Sequence, residues 1–514
     1  MRFLRFPLKA VAVLAVVIFV LRWTHPLPDL PKGEAFVSVP VGEDTRLGKT
    51  LLPLLAANEG KTGVVPLADG RDALAARILL ARAATETIDV QYYIWQTDTT
   101  GWLLLDELRR AAERGVKVRM LLDDNGIPGL DNVLAAFADQ ENVEIRLFNP
   151  FTMRKPKLLS YGFDFFRLNR RMHNKSMTVD GIATIIGGRN IGDIYFAYGD
   201  GTAYFDYDVM AIGQGAADVS QDFHHYWISG SSYDAQDILP SSKNGMAEMA
   251  AAVAAAGQSA RGSEYEKSLS SAPKISRAIS GEDVLEWTSL KLVSDDPAKG
   301  LGKASAEDLL IVRLTQIIGR PERSLDLVSA YLIPGKVGTA LFEDFIADGV
   351  KTRLVTNSLE ATDVPIVHSA WKGYRAQLVH SGAEVLELKA RPNLPESLSL
   401  AQLLTRSQSS LHAKTFAIDG ERIFIGSFNF DPRSAALNTE MGFLVESPTI
   451  ARSLSRTLEQ SDVFYRVSED ADGEIRWSGT EDGTAKSWTT EPNVGVMQRV
   501  IVNVMSYLPF EWVL

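Results

Sequence analysis

The sequence predicts an α/β protein made of two similar sandwich domains that share one site across a pseudo-twofold axis, with an N-terminal apolar segment ahead of them. Three observations predict it. The chain has 514 residues, too many for one ordinary core. Strand-like runs alternate with helix-like runs, the pattern of a sheet buried between helical layers. A motif that begins at residue 173 also returns at residue 412, embedded in the same order of elements.

The repeat is visible without gaps. Residues 173–190, HNKSMTVDGIATIIGGRN, align with 412–429, HAKTFAIDGERIFIGSFN, with His, Lys, Asp, Gly, Ile, Gly and Asn shared. Matches of this number arise by chance in a long chain, so collinearity has to carry the case. IDVQYYI (88–94) answers LDLVSAY (325–331), and GVKVRMLLDDN (115–125) answers GVKTRLVTN (349–357). FDYDVMAIG (205–213) answers TEMGFLVES (439–447), which sets Asp206 opposite Glu440. The displacements agree within a few residues, so the unit is duplicated.

In chain order, residues 1–24 place Arg2, Arg5 and Lys9 ahead of the apolar run AVAVLAVVIFVL (10–21), as a secretory signal or signal anchor requires. No small-x-small cleavage site follows closely, which favours an uncleaved anchor with the body outside the cytoplasm. Residues 25–74 read as an N-terminal extension. The first domain, 75–230, runs strand, helix (TGWLLLDELRRAAERG, 100–115, ended by Gly115), strand, then the hairpin of His173. Residues 231–304, rich in Ala, Ser and Gly from 231 to 273, read as an inter-domain linker with helices. The second domain, 305–465, repeats the series, its helix GTALFEDFIADG (338–349) ending at Gly349. In the C-terminal segment, 466–514, VMQRVIVNVMSYLPFEWVL (496–514) suits an interfacial segment or a closing strand equally.

Composition narrows the chemistry. A formal charge of −11 makes nucleic acid a poor partner. With no cysteine, disulfides, thiolate metal sites and thiol nucleophiles are excluded.

Two histidines stand out because packing alone does not require His, Lys and Asn to recur at the same spacing in both halves. Residues i and i+2 of a strand share a face, so His173 projects with Lys175 and His412 with Lys414. Brought together about a pseudo-twofold axis with Asn190 and Asn429, they suit a phosphodiester. The lysines and asparagines would hold the non-bridging oxygens, and one imidazole would attack phosphorus while the other moves the proton. Neither job needs a metal or another cofactor. Asp206 and Glu440 would stand behind the rings and fix their tautomers.

The doubled pattern His-x-Lys-x-x-x-x-Asp, followed by Gly-Gly or Gly-Ser and then Asn, resembles the phospholipase D superfamily over roughly residues 75–230 and 305–465. The resemblance implies two phospholipase D-like domains, a phosphohistidine on His173, and His412 as acid and base. It also implies structural roles for Asp180 and Asp419, with Gly187, Gly188, Gly426 and Ser427 completing the motifs. The second half, LHAKTFAIDGERIFIGSFNFDPRSAALNTEMGFLVES (411–447), together with LPFEWVL (508–514), is similar to bacterial cardiolipin synthases of the C type. That likeness implies phosphatidyl transfer from phosphatidylethanolamine or phosphatidylglycerol to phosphatidylglycerol, at a bacterial inner membrane. A hydrolytic phospholipase D would use the same residues with water as acceptor, and an inactive anionic-lipid-binding scaffold would be expected to have lost a motif histidine or lysine. Both sets are intact.

A bilayer as partner has its own support. Arg154, Lys155, Lys157, Arg167, Arg170 and Arg171 face one acid, Asp164, and are interleaved with Phe, Tyr and Leu. Such mixtures suit an anionic membrane surface.

Overall fold

The computed structural model describes residues 2–30, 43–198, 202–270, 272–282, 284–390, 408–460, 462–481 and 483–507. In the first half the strands are β1 (Thr62–Leu67), β2 (Thr87–Tyr92), β3 (Lys117–Asp123), β4 (Val143–Phe148), β5 (Ser176–Val179) and β6 (Ala183–Gly187). They are followed by β7 (Thr202–Phe205), β8 (Asp208–Ile212), β9 (Ser232–Asp234) and β10 (Glu286–Thr288). The second half supplies β11 (Leu290–Ser294), β12 (Ser324–Ser329), β13 (Lys351–Asn357), β14 (Glu384–Leu388), β15 (Gln408–Leu411) and β16 (Lys414–Ile418). Then come β17 (Arg422–Gly426), β18 (Met441–Val445), β19 (Phe464–Glu469), β20 (Ile475–Glu481) and β21 (Thr484–Trp488).

One sheet has the order β10-β1-β8-β6-β5-β2-β3-β4-β9 and the other β11-β18-β17-β16-β12-β13-β14-β19-β20-β21. In each, three neighbouring strands are parallel, β2-β3-β4 and β12-β13-β14, and the hairpin carrying the motif adds antiparallel strands beside the first of them. The duplicated topology matches the two predicted α/β halves.

Both faces of the central strands of each sheet are buried, so successive residues of one such strand enter different cores. Ile185 and Met210 point to the core under the first half's helices, whereas Ile186 and Val209 enter a second core shared with the other half. Ile425 and Phe443 meet them there, while Phe424 and Leu444 face a third core with Phe342 and Trp371. Each such aliphatic side chain contributes about 1.5–3 kcal/mol by burial. The two halves are therefore joined by an apolar interior.

Several predicted boundaries shift. The first half begins before residue 75, because β1 pairs with β8 as β11 pairs with β18. Helix Arg46–Ala57, capped by Thr45, buries Leu47 and Leu51 in the first core, so this part of the extension belongs to the domain. The predicted linker is likewise structural: β9 pairs with β4, β11 joins the second sheet, and helix Gly245–Gln258 lies against helix Thr99–Glu113. Its alanines are the reason it read as a linker; small side chains let two helices approach closely.

The C-terminal segment divides. Strands β19, β20 and β21 extend the second sheet, and helix Val496–Met505 follows with Val496, Met497, Val500, Ile501 and Val504 exposed. Residues 508–514, LPFEWVL, lie outside the described residues.

The N-terminal run forms helix Arg2–Thr24. Arg22 Nε donates to the Phe163 carbonyl at 2.6 Å, docking it on helix Tyr161–Leu168. From Val13 on its apolar side chains are largely exposed. Among the described residues no helix is long and apolar enough to cross a membrane.

The basic segment differs from expectation. Arg154 pairs with Asp124 and Asp131, Lys157 with the same two acids, and Arg167 with Asp164. Arg171 is buried against Asp123 and the carbonyls of Phe148 and Asn149. Arg170 is half-buried and donates to the Phe166 carbonyl, which leaves Lys155 as the exposed cation of the six. What the segment shows to solvent is apolar: Leu158 is 78 % exposed and Phe166 75 %. The acids that neutralise it lie far away in sequence, so a local count of charges could not find them.

Candidate active site

The two hairpins are built alike. Asp180-Gly181 joins β5 to β6, and Asp419-Gly420 joins β16 to β17, with positive φ at all four residues. In each hairpin three residues separate the last paired residues, and the first two take left-handed backbone, which Asp tolerates and Gly prefers. The Asp180 carboxylate accepts from the backbone N–H groups of Thr85, Glu86 and Thr87. Asp419 does the same for Glu322, Arg323 and Ser324. Both aspartates hold the chain that enters β2 or β12, at the end of β5 or β16 opposite the histidine.

The histidines sit just before β5 and β16, where the halves meet. The His173 amide donates to the Thr439 carbonyl at 2.9 Å, and the His412 amide to the Phe205 carbonyl at 2.7 Å. β15 runs parallel to β7 across the junction. The residues that follow these acceptors are Glu440 and Asp206. His173 Nδ1 donates to Glu440 Oε2 at 2.9 Å, and His412 Nδ1 donates to Asp206 Oδ2 at 2.5 Å. Each imidazole is thus oriented by the carboxylate of the other half. An ionised carboxylate only accepts, so Nδ1 carries the hydrogen and each Nε2 keeps its lone pair.

Gly188 and Ser427, the one mismatch in the paired motifs beside the carboxylates, differ for a reason. A Cβ at Gly188 would overlap the Asp206 carboxylate. Ser427 instead donates from Oγ to Glu440 Oε2 at 2.5 Å. Glycine makes room for the shorter acid; serine adds a hydrogen bond to the longer one. Gly187 and Gly426 are packed as tightly against Asp208 and Gly442.

Lys175 Nζ donates to the His173 carbonyl at 2.6 Å and Lys414 Nζ to the His412 carbonyl, so both ammonium groups lie beside the imidazoles. His173, Lys175, His412 and Lys414 are all buried. Asn190 is placed otherwise than expected: its amide nitrogen donates to the Tyr195 hydroxyl at 3.1 Å and its oxygen accepts from the Ile94 amide. Asn429 Oδ1 is buried without a hydrogen-bond partner among the described residues.

Burial, reinforced by the neighbouring ammonium groups, lowers both histidines to about 4 despite their carboxylates. The attraction of the imidazoles and lysines holds Glu440 and Asp206 below their usual range against burial. Burial also lowers Lys175 to about 7 and Lys414 to about 8. The site therefore holds neutral imidazoles beside two weakly held ammonium charges. An anion entering between the lysines would favour their charged forms. As pH rises from about 7 to 8 the free site loses those charges, so kcat/KM should decline with apparent pKa values in that interval, while the imidazole limb lies near 4. A pH–rate profile flat through the alkaline range would contradict this account.

Several residues were missed in the sequence. Tyr93 packs edge-on against the His173 ring at 5.1 Å, with the Lys175 ammonium 5.5 Å from its own ring centre. Tyr204 stacks on His412 at 5.2 Å and Tyr195 meets it edge-on at 5.3 Å. Arg189, buried, donates to the carbonyls of Asp206, Leu67 and Tyr195 and so fixes the loop behind His412. The tyrosine-rich run from 195 to 207 was the available signal.

A family model described as cardiolipin synthase, PLD-like domain, matches residues 78–227 and 314–461. Cardiolipin synthase C of Escherichia coli (strain K12) is 44 % identical over 471 residues, 91 % of this chain and 100 % of that protein. The major cardiolipin synthase ClsA of Bacillus subtilis (strain 168) is 24 % identical over 77 % of this chain and 67 % of its own length. Among solved structures, phosphatidylserine synthase from Haemophilus influenzae Rd KW20 shares the fold, with a TM-score of 0.55 at 13 % identity over 91 % of this chain and 100 % of that one.

Proposed function

The chain belongs to the cardiolipin synthase, PLD-like domain family of the phospholipase D superfamily, and from that premise we propose that it is a phosphatidyltransferase that makes cardiolipin. The observation that carries the chemistry is the pair of buried imidazoles, each with Nδ1 on a carboxylate of the other half and Nε2 left with its lone pair, with the Lys175 and Lys414 ammonium groups beside them.

His173 Nε2 attacks the phosphorus of a donor phospholipid. The P–O bond to the head group breaks, and the departing alkoxide takes a proton from Nε2 of His412, which is protonated once the anionic phosphodiester lies between the lysines. Lys175 and Lys414 stabilise the charge that builds on the phosphoryl oxygens. In the second half-reaction His412 Nε2 removes the proton from a glycerol hydroxyl of phosphatidylglycerol. That oxygen attacks phosphorus, the P–N bond to His173 breaks, and cardiolipin leaves. Phosphatidylethanolamine or phosphatidylglycerol serves as donor.

The substrates are lipids, and we place the body at the inner membrane on its periplasmic side. Support comes from Arg2, Arg5 and Lys9 ahead of the apolar run and from three exposed apolar sets: Phe19 and Trp23, Leu158 and Phe166, and the helix Val496–Met505. Replacing Leu158 and Phe166 together with aspartate should weaken binding to phosphatidylglycerol vesicles by about tenfold or more. Unchanged co-sedimentation would remove this surface from the bilayer.

The function itself is tested by purified protein in mixed vesicles of phosphatidylglycerol and phosphatidylethanolamine with products read by mass. Cardiolipin is expected; phosphatidic acid alone would make the protein a hydrolase.

A further inference from the structure

Behind the imidazoles the two carboxylates are supported differently. Asp206 is held at both oxygens, Oδ1 accepting from the Tyr207 amide at 2.8 Å and Oδ2 from the His412 ring. Glu440 engages His173 and Ser427 through Oε2 alone, and its Oε1 is buried with no hydrogen-bond partner among the described residues. Glutamate also has one more rotatable bond than aspartate, so a side chain held at one oxygen can swing unless its backbone is fixed. One residue fixes it. Asp295, which follows β11, donates from its amide to the Glu440 carbonyl at 3.0 Å and accepts from the Glu440 amide at Oδ2, at 2.9 Å. Lys299 Nζ donates to the same Oδ2 at 2.8 Å and to the Ser434 carbonyl at 2.8 Å. Oδ1 accepts at 2.6 Å from the amide of Leu310, the first residue of helix Leu310–Ile318. The Asp295 carbonyl takes the Tyr226 hydroxyl at 2.8 Å, and Asp295, Lys299, Tyr226 and Glu440 are all buried.

The first half has the same aspartate in another use. Asp69 lies two residues past Leu67, which pairs with Asp208, just as Asp295 lies two past Val293, which pairs with Gly442. Asp69 caps helix Gly70–Ala83 by accepting from the amides of Arg71 and Asp72, and the Asp206 carbonyl is held by Arg189. Among the described residues, only the second copy of this capping aspartate reaches the peptide of a carboxylate that orients an imidazole. Burial pushes the Asp295 carboxyl up to about 6, with the Lys299 ammonium opposing the rise, so it is mostly ionised at neutral pH. An ionised carboxylate accepts from all three donors at once, in bonds roughly twice as strong as neutral ones. Asparagine could not do so, because its NH2 would be set against an N–H donor on one side or the other.

We propose that Asp295 is a positioning residue for His173: with Lys299 as its counter-charge it fixes the Glu440 peptide, and through Glu440 the imidazole, in the attitude from which Nε2 attacks phosphorus. The inference rests on His173 as the nucleophile of the phosphatidyltransferase reading and deepens it. Asp295 bonds to the Glu440 backbone and not to the imidazole, so its loss acts on the rate of attack and leaves the affinity for the donor lipid nearly as it was. The effect is one-sided. His412 and Asp206 do not depend on Asp295, so proton transfer on that side is spared.

The test offers the full chain the nitrophenyl ester of phosphatidic acid and follows the nitrophenol burst, with the adduct read by intact-protein mass. In Asp295→Asn the burst rate should fall about 10^2-fold, with the half-saturating donor concentration changed by no more than about threefold. Asp69→Asn, which loses the equivalent cap, should lower the melting temperature comparably yet keep the wild-type burst. Joining Asp295→Asn to Glu440→Gln should be no slower than Glu440→Gln alone, because both act on one ring. A burst in Asp295→Asn as fast as in Asp69→Asn, or losses that multiply in the double variant, overturns the proposal. Should Asp295→Asn not fold, Lys299→Met is read the same way: a fall of about tenfold is expected, and an unchanged burst overturns the proposal. A wild type that forms no adduct ends the enzymatic reading, and the Nδ1 hydrogen of His173 then decides the positioning. Seen by nitrogen-edited NMR and assigned by its loss in His173→Ala, it should move upfield and exchange faster with water in Asp295→Asn; an unchanged resonance refutes the role.

Discussion

Replacing His173 with alanine is expected to lower cardiolipin formation by about 10^4-fold or more and to abolish any covalent phosphatidyl adduct. The ring is buried, its Nε2 is the unprotonated nitrogen, and no cysteine is present to substitute as a nucleophile. His412→Ala should lose turnover to a similar degree but differ in kind. Offered a phosphatidyl donor whose leaving group needs no proton, such as a nitrophenyl ester, it should still release one equivalent of nitrophenol and hold the phosphatidyl group on His173. The measurement is a rapid burst followed by intact-protein mass. An adduct in His173→Ala and none in His412→Ala would exchange the two roles.

The second large effect concerns the carboxylates. Glu440→Gln should lower kcat by about 10^3–10^4 with little change in melting temperature, as loss of the acid behind a catalytic imidazole does elsewhere. Glutamine can turn its NH2 toward Nδ1, which moves the ring hydrogen to Nε2 and removes the lone pair that attacks. Because Glu440 serves His173 and Asp206 serves His412, the nitrophenyl donor separates them: Asp206→Asn should still form the adduct and Glu440→Gln should not. A Glu440→Gln protein that forms adduct at the wild-type rate would show that this acid does not position the nucleophile.

Much of this was legible in the sequence. The collinear motifs announced two α/β halves, because strand and hairpin signals are local and were written twice. The family resemblance implied structural roles for the hairpin aspartates, and the sequence paired Asp206 with Glu440 by position, although not with which histidine each would work. That exchange depends on how the halves dock, which no local pattern encodes. The misread charges have the same origin. Arg154 and Lys157 looked available in their own segment, yet Asp124 and Asp131 reach them from the end of β3 and the helix after it. Tyr204 and Asp363, 159 positions apart, meet only in the folded chain.

The crossed bonds between His173 and Glu440 and between His412 and Asp206 have a genetic consequence. Epistasis should follow space and ignore sequence: losing Asp206 in a chain that already lacks His412 adds little, although the two lie in different halves, whereas losing Asp206 in a chain that lacks Glu440 damages two separate rings. Neither half can decay alone while its sister keeps working, since each carries a part that the other's imidazole requires. After the duplication, the two copies became one inheritance.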